Sequence, residues 1–392
     1  MHSKNQKFLL AILLSNLFIS FVGISLVIPV LPTIMNEMSI SGSVVGYMVA
    51  AFAIAQLILS PVAGKWADRF GRKIMIIIGL IIFSFSELLF GLGKTVEVLF
   101  ISRILGGVSG AFIMPAVTAY IADITTERER PKALGYMSAA INTGFIIGPG
   151  IGGLLVGFGT RAPFFAAALL AAVAVVISLI FLKEPERAIA GNVNEYHSNM
   201  KPGFGKLLLP IYFIPLFLIF LSTFGLASFE SLFSLFVDHK FSFTPTDIAI
   251  IVTGGGLVGA VAQVLLFDSI TRRIGEIALV RYCFILSAFL VFLMTIVNTY
   301  LSVLITSCIV FVGFDLIRPA ITSYLSKIAG DEQGFVGGMN SMFTSFGNII
   351  GPIIGGILFD FNLNYPYYFA TIVLIIATII AYAWKTPKQS IH

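Results

Sequence analysis

Of the ionisable side chains inside long apolar runs of this sequence, five deserve weighing for chemistry: Glu87, Arg103, Glu230, Asp315 and Arg318. A charge in such a run is costly unless it faces protein or a wet cavity, so each is a candidate for proton or cation chemistry. Glu230, in ASFESLF, has no cation within helical reach, which suits a carboxyl group that carries a proton or meets a positive charge. Asp315 and Arg318 are three residues apart and can pair along one helix face, the arginine then keeping the acid anionic. Glu87 lies near the outer end of its run, within reach of headgroup water. No credible nucleophile, base and metal cluster accompanies these groups, so the sequence points to neither an enzyme nor a metal or cofactor site. Cys283 and Cys308 sit inside apolar runs and give no sign of a disulfide framework or a zinc site.

The elements that must hold these charges are membrane helices. The 392 residues are 58% hydrophobic and only 11% charged, and the mean hydropathy is +0.99. Ordinary soluble domains carry roughly 25% charge, so the chain is expected to be a polytopic, all-α membrane protein. Apolar runs of spanning length fall at about 8–34, 43–64, 74–93, 96–119, 135–158, 162–183, 207–237, 244–268, 276–297, 300–326, 333–359 and 364–384. The first run is too long for the core of a signal peptide and is expected to be retained as a span. Eighteen of the 24 lysines and arginines fall in the loops and tails on one side of this map, which by the positive-inside rule puts both termini in the cytoplasm. The net charge of +5 is then a matter of topology, and nucleic acid is not an expected partner.

The chain repeats itself. GFIIGPGIGG from Gly144 returns as GNIIGPIIGG from Gly347 at an offset of 203, and PAVTAY from Pro115 returns as PAITSY from Pro319 at an offset of 204. Two six-helix halves follow, 1–183 and 207–392, joined by the polar stretch 184–206. Six spans per half is an even number, so the halves insert in the same orientation as a parallel repeat. Gly144, Gly148 and Gly152, and Gly351 in the second half, present small faces for close helix packing. Pro149 and Pro352 each remove a backbone donor and can bend a span, which allows a hinge or a proton-tight seal as well as ordinary packing.

Two glycine-rich stretches are decoys. LLFGLGKT, residues 88–95, lacks the first glycine and the preceding strand of a phosphate loop. GGGLVG, residues 254–259, lies within a span, so Gly255 and Gly259 are expected to serve helix packing.

The loop after the second span reads GKWADRFGRK from Gly64 to Lys73. Asp68 can accept bonds from a helix N-terminus, and Arg72 can reach an acid such as Asp123 in YIADI; a generic basic loop would also account for the charges. The pattern of Gly64, Asp68, Arg69, Gly71 and Arg72 resembles the signature of the major facilitator superfamily. Arg103 in LFISRILGG resembles that family's fourth-span motif, and GFIIGPGIGG the fifth-span motif of its twelve-span drug:proton antiporters. The resemblance covers essentially the whole chain. It implies two pseudo-symmetric six-helix bundles, alternating access, a coupling role for Arg103, and proton-driven export of hydrophobic, often cationic, drug-like molecules from a bacterial cell. The loop after the eighth span, with Asp268, Arg272, Arg273 and Gly275, keeps only part of the signature, so the mirrored gate is expected to be weaker.

Phe18, Phe21, Phe52, Gln56, Asn142, Phe145, Phe229, Phe233, Phe311, Asn340 and Phe343 are candidates for one aromatic pocket with few fixed polar groups. Packing or lipid contact competes as an account of any single phenylalanine among them. The alternative function, uptake of a small metabolite, would call for more hydrogen-bonding residues than these spans offer. Each chain is expected to enclose its own pathway and to work as a monomer in the bilayer.

Overall fold

Hydrocarbon offers a backbone amide no partner, so apolar segments of this length fold as helices that satisfy their own hydrogen bonds. The computed structural model describes residues 2–126, 128–185, 209–329 and 333–384, and among them there are helices and turns but no strand. The helices are α1 (His2–Leu26), α2 (Leu31–Met38), α3 (Gly42–Phe70), α4 (Arg72–Leu92), α5 (Val96–Ile124), α6 (Arg130–Leu155), α7 (Ala162–Phe181), α8 (Pro210–Phe241), α9 (Pro245–Ile274), α10 (Glu276–Leu293), α11 (Tyr300–Ala329), α12 (Gln333–Phe361) and α13 (Tyr365–Ala383). All but α2 are long and apolar enough to cross a bilayer, which gives the twelve expected spans. The run 8–34 is not one helix, however. It breaks after Leu26, residues 27–30 form a turn, and α2 starts with Pro32 in its first turn, where a missing amide costs nothing.

Two compact units are present. The first holds α1 to α7 together with Val237–Thr253, the turn that joins α8 to α9; the second holds the rest of α8 and α9 with α10 to α13. Of the polar stretch 184–206, all but its first two residues lie outside the described residues. In the first unit α4 packs on α5 and α7, α3 on α5, and α1 on α6 and α7. Leu13, Leu17, Ile76, Leu80, Val117 and Tyr120 are fully buried between them. In the second, α10 packs on α11 and α13.

The duplicated proline-glycine helices do the same work in both units. A Cβ at Gly144 would lie 2.9 Å from the Phe21 Cβ and 3.0 Å from the Phe18 carbonyl oxygen, so the backbones of α1 and α6 are in contact. A Cβ at Gly148 would overlap Ser25 Oγ, and one at Gly152 would strike the Leu26 carbonyl. In the second unit Gly347 and Gly351 face the Phe224 amide and carbonyl, each 2.8 Å from the atom a side chain would add, and Gly355 faces the Ser228 carbonyl at 3.3 Å. Ser25 Oγ donates to the Gly144 carbonyl at 3.1 Å, and Ser228 Oγ to the Gly351 carbonyl at 3.0 Å. Helices α6 and α12 run on through Pro149 and Pro352.

Gly148→Val and Gly351→Val should therefore force the helices apart, each costing about 1–3 kcal/mol of stability by overpacking. Thermal unfolding in detergent, with Gly135→Val as a control at a glycine that faces open space, checks the expectation.

Candidate functional site

The predicted loop motif assembles at the end of the first unit where α3 meets α4. Gly71, with φ +106°, turns the chain from one helix into the next, a conformation that strongly favours glycine. Arg72 then pairs with Asp68 at 2.8 Å and approaches Asp123 at 2.9 Å, and its Nη1 donates to the Ala67 carbonyl at 3.0 Å. The approach to Asp123 is charge pairing without hydrogen-bond alignment. Arg69 lies exposed over the Phe70 ring, and Gly64 packs at an ordinary distance from Pro115. The first amides of α4 are taken by a residue that the sequence placed in a polar linker. Glu184 accepts from the Arg72 amide at 2.6 Å and the Lys73 amide at 2.9 Å, its carboxyl filling the space beside Gly71. The Tyr120 hydroxyl bonds the neighbouring Lys183 carbonyl, and Lys73 Nζ the Leu179 carbonyl at 3.0 Å.

The matching end of the second unit carries a pair of opposite sign. Gly275, φ +83°, stands 204 residues after Gly71 and precedes Glu276, which pairs with Lys327; the Ser323 hydroxyl donates to the same carboxyl oxygen at 3.4 Å. Arg272 Nε donates to the Asp268 carbonyl at 3.1 Å. The incomplete signature thus hides a closed ion pair, formed by residues the motif did not point to.

The intramembrane charges divide between the units. In the first, Arg103 Nη2 meets Glu87 Oε1 at 3.0 Å, and its guanidinium lies 4.4 Å from the Phe90 ring centre. Glu87 is fully buried, not washed by headgroup water, and its Oε2 has no partner. Beside the pair, Ser86 and Ser102 each donate to the other's backbone carbonyl at 2.8 Å. In the second unit Glu230 is crowded by protein atoms near the middle of α8 yet remains accessible, and Asp315 on α11 is the charge that acts on it. Asp315 sits against Gly259 of α9, and Phe311 against Gly255, which gives the glycine-rich stretch its packing role. The expected Asp315–Arg318 pair does not form among the described residues; Arg318 is exposed.

The predicted pocket residues fall into separate groups. Phe21 and Phe145 are in contact at 5.0 Å, Phe18 stands beside Gly144, and Phe52 and Gln56 pack over Gly106 and Gly110. Asn142 is exposed. In the second unit Phe229 and Phe233 have essentially no accessible surface and meet at a tilt, with Phe229 edge-on to Phe311 and Tyr367. Asn340 donates to Thr322 Oγ1 at 3.2 Å, and Phe343 meets Phe213 edge-on. Sequence reasoning missed an aromatic column on α8: Phe213, Phe217, Phe220 and Phe224, with successive ring centres 5.7 to 5.8 Å apart. Its signal was available as spacings of four, three and four residues. An apolar groove of about 530 Å³ between α10 and α13, lined by Phe289, Phe292, Tyr368 and Ile372 among others, contains none of the predicted residues.

The family model described as Major Facilitator Superfamily matches residues 13–330 and 215–392. The chain belongs to the major facilitator superfamily. Among superfamily members it is 64% identical to "Multidrug resistance protein 1" of Bacillus subtilis (strain 168) over 380 residues, 97% of each chain. It is 53% identical to "Multidrug resistance protein 2" of the same organism, over 98% of this chain and 97% of that one. It is 42% identical to "Quinolone resistance protein NorA" of Staphylococcus aureus (strain COL), over 97% of each. A solved bacterial homologue of the human lysosomal transporter Spinster, inward-facing and unoccupied, superposes with a TM-score of 0.84 at 16% identity over 97% of this chain and 96% of that one. The nucleoside transporter NupG gives 0.73 at 16% identity, over 96% of this chain and 98% of that one. These two likenesses bear on the fold. The superfamily is one of transporters, so the chain is a multi-pass membrane protein whose cargo is small molecules.

Glu87→Gln should leave Arg103 buried without a counter-charge and cost about 3 kcal/mol or more, whereas Glu87→Leu with Arg103→Met should recover most of that loss. Unfolding of the single and double variants in detergent checks it.

Proposed function

We propose that this protein is a proton-coupled antiporter of a bacterial cell membrane that exports hydrophobic, often cationic, compounds by alternating access. The observation that carries the reading is identity of 64% over nearly the full length of a protein named for multidrug resistance. Phenylalanine-rich spans with few fixed polar groups support a broad substrate range, because aromatic faces attract apolar cations without demanding one shape. The collection of lysines and arginines in one set of loops supports cytoplasmic termini. A single chain holds both halves of the repeat, which supports a monomer as the working form.

Glu230 supplies the proton step in this reading. It is an accessible acid in mid-span, and Asp315 on α11 is a neighbouring acid close enough for their charges to interact. Binding a proton from outside removes a charge beside the drug's path, and release of that proton inside restores it. Arg103 is held in place by its pairing with Glu87 in the first unit. Asp68, Arg72 and Asp123 serve the gate at the cytoplasmic end, and the glycine faces of α6 and α12 seal the helices that move.

Drug-driven proton release from liposomes that contain the purified protein tests the reading. Glu230→Gln should cut pH-driven export by roughly tenfold or more while drug binding changes little. Asp315→Asn should change drug binding as well as export. Accumulation of a metabolite, with no effect on any dye in energised cells, would overturn the assignment.

A further inference from the structure

The two end pairs, Arg72–Asp123 and Glu276–Lys327, occupy equivalent places in the repeat, since both members are 204 residues apart, yet their charges are exchanged. A helix carries partial positive charge at its N-terminus and partial negative charge at its C-terminus. Arg72 opens α4 and Asp123 lies one residue before the end of α5, so each faces a helix end of its own sign. Glu276 opens α10 and Lys327 lies in the last turn of α11, so each faces a helix end of opposite sign. The second pair is favoured by its helices; the first is opposed by α4 and α5, although Arg72 gains from Asp68 and from the Ala67 carbonyl at the end of α3. Glu184 adds to that offset: its carboxylate accepts both leading amides of α4 and brings a negative charge to the end where Arg72 sits.

We propose that Glu184 is a positioning residue for the gate: it holds the Arg72–Asp123 pair closed, and that pair is the one that opens during the cycle while Glu276–Lys327 stays shut. The two carboxyl oxygens of Glu184 reach α4 from just beyond the end of α7, so a shift of α7 against α4 removes the cap and the negative charge it brings to that helix end. The second pair has no such dependence on another helix: its own helix ends favour it, and Ser323, which also donates to Glu276, stands on the same helix as Lys327. The gating role rests on the transport reading above; the closure of the pair does not.

Hydrogen–deuterium exchange of the full-length protein in detergent or nanodiscs separates the two. Glu184→Gln should speed exchange of the segment 70–76 roughly fivefold, the scale of a lost helix cap, and leave 274–280 unchanged. Glu184→Asp should fall between. In the exchanged background Arg72→Glu with Asp123→Lys, where the charges follow the helix ends, Glu184→Gln should speed exchange less, because only the cap and not an opposed pair is then lost. During drug turnover in liposomes, 70–76 should exchange faster and 274–280 should not, and Glu184→Gln should lower turnover more than drug binding. Unchanged exchange in Glu184→Gln would overturn the proposal. So would an equal response of both segments, or the same sensitivity in the exchanged background. If the exchange pattern is as expected and no drug or dye moves, the closure by Glu184 stands and the export reading fails.

Discussion

Contact between helix backbones is the constraint on which each unit rests. In hydrocarbon the hydrophobic effect does not press helices together, so their association falls to van der Waals contact and to hydrogen bonds made at short range. Gly144, Gly148 and Gly152 allow α1 to lie directly on α6, and Gly347, Gly351 and Gly355 do the same for α8 on α12. Only at that separation can Ser25 and Ser228 reach a carbonyl of the neighbouring helix. The register set by these contacts fixes where every helix end lies, and with it which charges can meet.

The charges then sort by the partners available at each depth. At the helix ends, long side chains reach acids or carbonyls across a turn, as Arg72 and Lys73 do. Deep in the first unit Arg103 and Glu87 have each other and a ring face. Such a pair is weak evidence for stability, because the cost of removing two ions from water competes with their attraction. Glu230 takes a third course, keeping access while protein crowds it, with the acid Asp315 as a neighbouring charge.

Much of the fold was legible because length and polarity are one-dimensional properties. Twelve apolar runs became twelve spanning helices, and the repeat of Gly-Pro segments marked the helix faces that touch. The partnership of Arg72 with Asp123 was legible too, because a short loop restricts what an arginine can reach. The break after Leu26 was not resolved in advance: Pro29 and Pro32 interrupt a run whose hydropathy continues unchanged. Glu184, Glu276 and Lys327 were missed for another reason. Their partners lie 112, 51 and 51 residues away, and nothing in a polar linker or a partial motif marks one acid among several. Arg318 shows the converse error, since spacing of three permits a pair with Asp315 but does not require it. The buried state of Phe229 and Phe233, against the more open column from Phe213 to Phe224, depends on how α8 is rotated, which composition does not specify.

The reversed ion pair also makes each end a unit of two positions. A change of sign at 72 or 123 alone, or at 276 or 327 alone, leaves two like charges facing each other, and removal of one charge leaves a single unpaired ion. Either end can therefore carry its pair in both senses, but the two members can only be exchanged together.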